Sequence, residues 1–132
     1  MREILFRGKR CDNDEWVEGG YHRQTVGEDL TAVFIIENQT IGVRENHRVD
    51  PSTVGQYICI TDKTGKKIFE GDIVKEYNIF GVEVGIGAVH WSDLFLAWHI
   101  TKNKSMYSGN IASYEVIGNI HDNPELWEGD ER

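Results

Sequence analysis

GIGAVHWSDLFLAWHI, residues 85–100, decides how this chain is read. Its two arms belong to longer apolar runs, Val82 to Trp91 and Phe95 to Thr101, which together read as the longest β-hairpin in the sequence. Within it lies a near-palindrome: His90-Trp91 enters the turn and Trp98-His99 leaves it. A fold between Leu94 and Phe95 sets His90 opposite His99, and facing β residues have Cβ atoms about 4.5–5.5 Å apart, close enough to share one zinc ion. Leu-Phe is a poor hairpin turn, however, whereas Ser92-Asp93 carries ordinary turn chemistry. The spacing therefore predicts a three-residue loop, Ser92-Asp93-Leu94, that pairs Trp91 with Phe95, His90 with Leu96 and Val89 with Ala97. That register puts His90 and His99 on opposite faces. It also makes both faces apolar: Val89, Trp91, Phe95 and Ala97 on one, Leu96, Trp98 and Ile100 on the other. A barrel strand buries one face, so the second needs cover, and Leu96, Trp98 and Ile100 are the candidate interface residues. A structural zinc site needs four ligands, and His22, His47 and His121 stand at no spacing that nominates them, so no metal or cofactor is assigned.

Working outward, nearly everything reads as β. Glu3 to Arg7 is a short apolar-rich run, and Cys11-Asp12-Asn13-Asp14 is a dense turn signal. Trp16, Val17 and Tyr21 around Gly19-Gly20 suggest a return strand with a bulge. Ala32 to Ile36 and Ile41 to Arg44 are β-branched runs with Glu37-Asn38-Gln39 as the turn between them, and the polar Asn46 to Asp50 reads as a connection. Asp50-Pro51-Ser52-Thr53 is a helix-start signal, ended at once by Gly55, so it predicts a single turn. Tyr57 to Ile60 is a strand, Asp62-Lys63-Thr64-Gly65-Lys66 a turn, and Ile68 to Val74 re-enters the sheet around Gly71. After the long hairpin, Tyr114 to Ile120 is the last strand, and Asn123-Pro124-Glu125-Leu126-Trp127 starts a short helical cap. No amphipathic helix of three turns is present. The expected fold is all-β and antiparallel, with a C-terminal SH3-like small barrel and only short helical turns. The chain reads as one compact unit over 1–132, with N-terminal strands in 1–49 and the barrel in 50–132.

Several of these pieces together resemble the YopX family of bacteriophage and prophage proteins. They are the opening Arg2-Glu3-Ile4-Leu5-Phe6-Arg7-Gly8-Lys9 with Glu15-Trp16-Val17-Glu18-Gly19, then Val49 to Tyr57, Asp62 to Val74, and the ending Tyr114 to Leu126. One departure is visible. Family members tend to carry a glycine about where this chain has Ile58-Cys59-Ile60, and a β-branched run there predicts a regular strand. The resemblance implies a phage-encoded cytoplasmic accessory protein that forms oligomers; it carries no catalytic set.

Charge and composition bound the remaining classes. There are 22 acidic against 14 basic residues, a formal charge of −8, which opposes binding to nucleic acid by bulk phosphate attraction. Arg7-Gly8-Lys9-Arg10 and Lys63 to Lys67 are short basic patches interleaved with turn residues. The N-terminal MREILFRGKRC has scattered charges and no continuous apolar run, so it reads as no signal peptide. Cys11 and Cys59 form no ligand-spaced pair and read as free thiols in a reducing cytoplasm. Neither has a sequence-adjacent base, no GxSxG or GxxxxGK[ST] motif occurs, and Gly85-Ile86-Gly87 lies between strands. The acidic groups Asp12-Asn13-Asp14-Glu15, Glu28-Asp29 and Glu70-Gly71-Asp72 fall in turns, and Asp72 reads as a turn residue accepting from backbone amides. With no catalytic constellation, the expected function is non-enzymatic: binding to itself as a homo-oligomer and to a host or phage protein. The alternative is a small barrel that binds single-stranded nucleic acid, with Trp98, Lys102, Lys104 and Tyr107 as stacking and phosphate contacts.

Overall fold

The computed structural model describes residues 2–28, 30–38, 44–105 and 111–128. They form two compact units, Met1–Tyr57 and Ile58–Arg132.

The first unit is an antiparallel sheet of β1 (Phe6–Lys9), β2 (Trp16–Val26), β3 (Leu30–Asn38), β4 (Arg44–Val49) and the start of β5 (Gly55–Thr61), in the order β4-β3-β2-β1-β5. Its core is Val33, Ile35 and Val49, packed by Phe6, Val17 and Val54. Alternation on β3 sends Val33 and Ile35 inward, and β4 brings Val49 opposite Val33. β2 changes neighbours at its glycine pair: Trp16 to Gly19 pair with β1, and Gly20 onward with β3. A Cβ at Gly19 would overlap the Ile36 carbonyl, so the predicted irregularity is a strand bend that only glycine permits.

β4 was not expected. The stretch that reads as a connection, Asn46 to Val49, is the sheet's outer strand. It escapes a hydropathy reading because its inward positions are Glu45, His47 and Val49, only one of them apolar. The predicted turn at Glu37-Asn38 is the end of β3; Ile41, Gly42 and Val43 lie outside the described residues.

Between β4 and β5 the predicted single turn is present as Pro51–Thr53, in 3-10 form. The Asp50 carboxylate accepts from the Ser52 amide at 3.0 Å, and the buried Thr53 hydroxyl accepts from the Lys9 amide at 2.9 Å.

β5 is not regular. Cys59 has φ +73°, a left-handed conformation that a side chain opposes by about 1–2 kcal/mol. The regular strand that the β-branched run predicts is interrupted there.

The second unit adds β6 (Lys67–Phe69), β7 (Asp72–Tyr77), β8 (Glu83–Ser92), β9 (Ala97–Ser105), β10 (Ser113–Asn119) and the single helical turn α1 (Glu125–Glu128). Strands β10-β7-β8-β9 form one antiparallel sheet. Ile68, Val74 and Val89 are its core, with Ile58, Ile100, Tyr114 and Val116 against them. The all-β antiparallel class is therefore as expected, but the barrel is not closed: the sheet ends at β10 on one side and β9 on the other.

Along β10 a turn takes the place of a continuing ladder. The amide of Lys63 donates to the Tyr114 carbonyl at 2.8 Å, and the Val116 amide donates to Asp62 Oδ2 at 3.0 Å. The other oxygen of Asp62 accepts from the Thr64 amide, the Thr64 hydroxyl and the Lys66 amide, all within 2.9 Å. Burial alone would raise the Asp62 pKa. The amide of Val116, the hydroxyl of Thr64 and the amides of Lys66 and Thr64 override it and hold the carboxyl at about 2. Lys63 Nζ lies 3.8 Å above the Tyr77 ring. Asp72, 1% exposed, accepts from the Phe69 amide at 2.7 Å, the turn role its sequence position predicts.

Candidate functional site

The β8–β9 hairpin adopts the register its turn chemistry argues against. His90 faces His99, Trp91 faces Trp98, Val89 faces Ile100 and Ser92 faces Ala97, so the loop is the four residues Asp93 to Leu96. The expected three-residue loop is wrong, and the palindrome is a true fold axis. Cross-strand packing explains this. The two indoles meet edge to face at 5.2 Å between ring centroids, and the two imidazoles do likewise at 5.5 Å. An aromatic pair contributes about 0.5–1.5 kcal/mol beyond its buried area, enough to outweigh a poor turn. The strain of that turn is visible at Leu96, whose φ is +52°. The Ser92 hydroxyl steadies it by accepting from the Phe95 amide at 3.1 Å.

The new register also reassigns the faces. Val89, Trp91, Trp98 and Ile100 share one face, while Ala88, His90, Ala97 and His99 share the other. Ile100 packs on the core cluster with the buried Val89, and Trp98 is half-buried. Leu96, placed by sequence on a strand face with them, is in the turn. There it joins Leu94 and Phe95 as three consecutive large apolar residues that are 75%, 84% and 65% exposed respectively. Trp91, at 43%, borders them, and the Phe95 ring stacks on His99 at 5.7 Å. The far end of β8 carries a second such tip: Ile79, Phe80 and Val82 are exposed in the β7–β8 turn. There Asn78 accepts from the Phe80 and Val82 amides. A strand of ten residues separates the two tips by roughly 30 Å.

His90 and His99 do come together, contrary to the sequence reading. His90 Nδ1 lies 3.1 Å from the Trp91 carbonyl. Among the described residues no third His, Cys, Asp or Glu joins the pair within ligand distance. Lys102 and Lys104 lie on β9 opposite Gly87 and Ile86; Tyr107 lies outside the described residues.

In the first unit, a recess of about 360 Å³ is lined by Arg10, Cys11, Asp12, Asn46, His47 and Arg48. Sequence separation hid the approach of Cys11 and His47, which the bond from the Cys11 amide to the Arg48 carbonyl brings about. Arg10 is held by Asp12 in a two-point ion pair at 2.7 and 2.9 Å, which offsets its charge within the recess.

The sequence pattern of the YopX protein matches this chain over residues 5–128. The chain belongs to the YopX family. The match runs through both units, from β1 to α1, so the strained Cys59 and the hairpin tip both lie within YopX sequence. This YopX chain is similar in fold to protein EF1440 from Enterococcus faecalis, known from a crystal structure. The TM-score is 0.54 at 22% identity, over 97% of this chain and 100% of that one. At that identity the likeness is one of fold. No curated protein matches the chain, and among the described residues no helix is long and apolar enough to cross a membrane.

Proposed function

We propose that this YopX chain is a non-enzymatic phage accessory protein that works by protein–protein binding in the bacterial cytoplasm, and that it associates with itself through the β8–β9 tip. The carrying observation is the run Leu94-Phe95-Leu96, exposed throughout and held on a strained turn. Exposed apolar side chains in sequence are a liability on a monomer. Backbone strain kept at the same place argues that the tip is retained for contact rather than for folding. Trp91 and Trp98 form the rigid base of the surface, Leu96 belongs to its rim, and Ile100 supports it from the core side.

A tagged wild-type chain and its Phe95→Asp variant, taken through pull-down from bacterial lysate with and without nuclease, test the proposal. Nuclease-resistant partners recovered by wild type and lost by the variant are the expected result. Capture that disappears with nuclease and is unaffected by Phe95→Asp would instead favour the nucleic-acid reading through Trp98, Lys102, Lys104 and Tyr107. The charge of −8 opposes that reading.

A further inference from the structure

We infer that the end of the β3–β4 pair where Asn38 faces Arg44 is a site for a divalent first-row transition-metal ion of the zinc type, held by Glu37, Glu45 and His47. Glu37 and Glu45 are direct cross-strand partners, and His47 lies two residues beyond Glu45, so all three share one face of the sheet. One ligand-type atom from each lies within 4.8 Å of the other two. His47 Nε2 is 3.0 Å from Glu37 Oε1 and 4.0 Å from Glu45 Oε1.

The arrangement is unfavourable as plain sheet chemistry. Like charges directly opposite on neighbouring strands destabilise the pair, and His47 Nε2 is within hydrogen-bond distance of the Glu37 carboxylate only. A cation between the three atoms is attracted to both carboxylates at once. Ligand atoms bound at about 2.0–2.2 Å stand roughly 3.0–3.5 Å apart around a metal, so the His47–Glu37 separation already suits one. Glu45 needs a swing of about 1 Å to close the set, and the side chains of Glu37 and Glu45, 39% and 44% exposed, have room for it. His47 is the fixed member. Its side chain is 7% exposed, and its cross-strand partner Ile35 is fully buried.

Ligand type selects the ion. An imidazole with two carboxylates suits zinc and its neighbours, whereas magnesium and calcium favour all-oxygen shells. Three protein ligands leave the rest of the shell to water. On an outer strand with little apolar surface of its own, the ion would act as a clip between the ends of β3 and β4.

The test is calorimetric titration of the full chain with zinc chloride, then with magnesium chloride, in a non-chelating buffer. Expected are uptake of one zinc per chain, no magnesium heat, and a rise in melting temperature with zinc. Glu45→Gln is the primary variant because its side chain is partly exposed and its loss leaves the core intact. It should weaken zinc by more than about tenfold, the low end of what loss of even an outer-sphere partner costs, and abolish the thermal shift. The double variant His90→Gln/His99→Gln should titrate as wild type. No stoichiometric zinc uptake would overturn the assignment. So would uptake indifferent to Glu45→Gln, or uptake lost in the His90/His99 variant.

Discussion

Two turns of the second unit, Asp62 to Lys66 and Asp93 to Leu96, are built by opposite rules. In the first, every polar opportunity is taken. One buried carboxylate accepts from Thr64, Lys66 and Val116, and the left-handed position is a glycine, Gly65 at φ +92°. In the second, the left-handed position is Leu96, and the residues around it are large, apolar and exposed. The first turn closes the fold against β10. The second is held in place by the indole and imidazole pairs beneath it and contributes little to its own stability. Places where local sequence rules fail while the surrounding structure compensates are where function is to be sought.

The contrast predicts a ranking of mutational effects. Asp62→Ala should be the most damaging, at about 3 kcal/mol, because it strands several amides that bonded a charged group; chemical denaturation measures it. The same carboxyl has a pH signature. Its folded pKa, about 2, lies below the ordinary carboxylate value of 3.8. Its contribution is therefore fully present above roughly pH 4 and is lost as pH falls through 2. Asp62→Asn should flatten the acid limb in that window and leave the neutral range flat.

Trp98→Ala comes next, at about 2 kcal/mol, since it removes one half of the indole pair that sets the register. A loss as small as that of an exposed surface substitution would mean that the turn, not the pair, fixes the hairpin. The smallest effects have the opposite sign. Leu96→Gly and Cys59→Gly should each raise stability, by up to about 1 kcal/mol, by relieving a left-handed backbone. Cys59→Val should lower it. If Leu96→Gly destabilises, the tip is not strained in the way the contrast requires.

Much of this fold was legible because strands and turns announce themselves locally. The runs around Val33, Val74 and Val89, the Asp50-Pro51 cap and the Asp62 turn depend on neighbours in sequence, and all are where pattern puts them. Failures came where a distant residue decides. Of the inward residues of β4, Glu45, His47 and Val49, which face Glu37, Ile35 and Val33 across the sheet, only Val49 is apolar. The Glu37–Glu45–His47 cluster was invisible for the same reason: it exists only once that pairing is known. In the long hairpin, turn propensity favoured one register and cross-strand aromatic contact another; the contact won. At Cys59 the β-branched neighbours Ile58 and Ile60 predict regularity, and the left-handed backbone there carries no local sequence signal.

The most direct measurement is the solution mass of the wild-type chain and of Phe95→Asp, by sedimentation at matched concentration, with a thermal melt of each. The account predicts an assembled wild type and a variant of monomer mass that still unfolds cooperatively, at a melting temperature lower only by the stabilisation that assembly supplies. Equal masses for the two would contradict it, whether both are assembled or both are monomers, and would leave the exposed tip without the self-contact assigned to it.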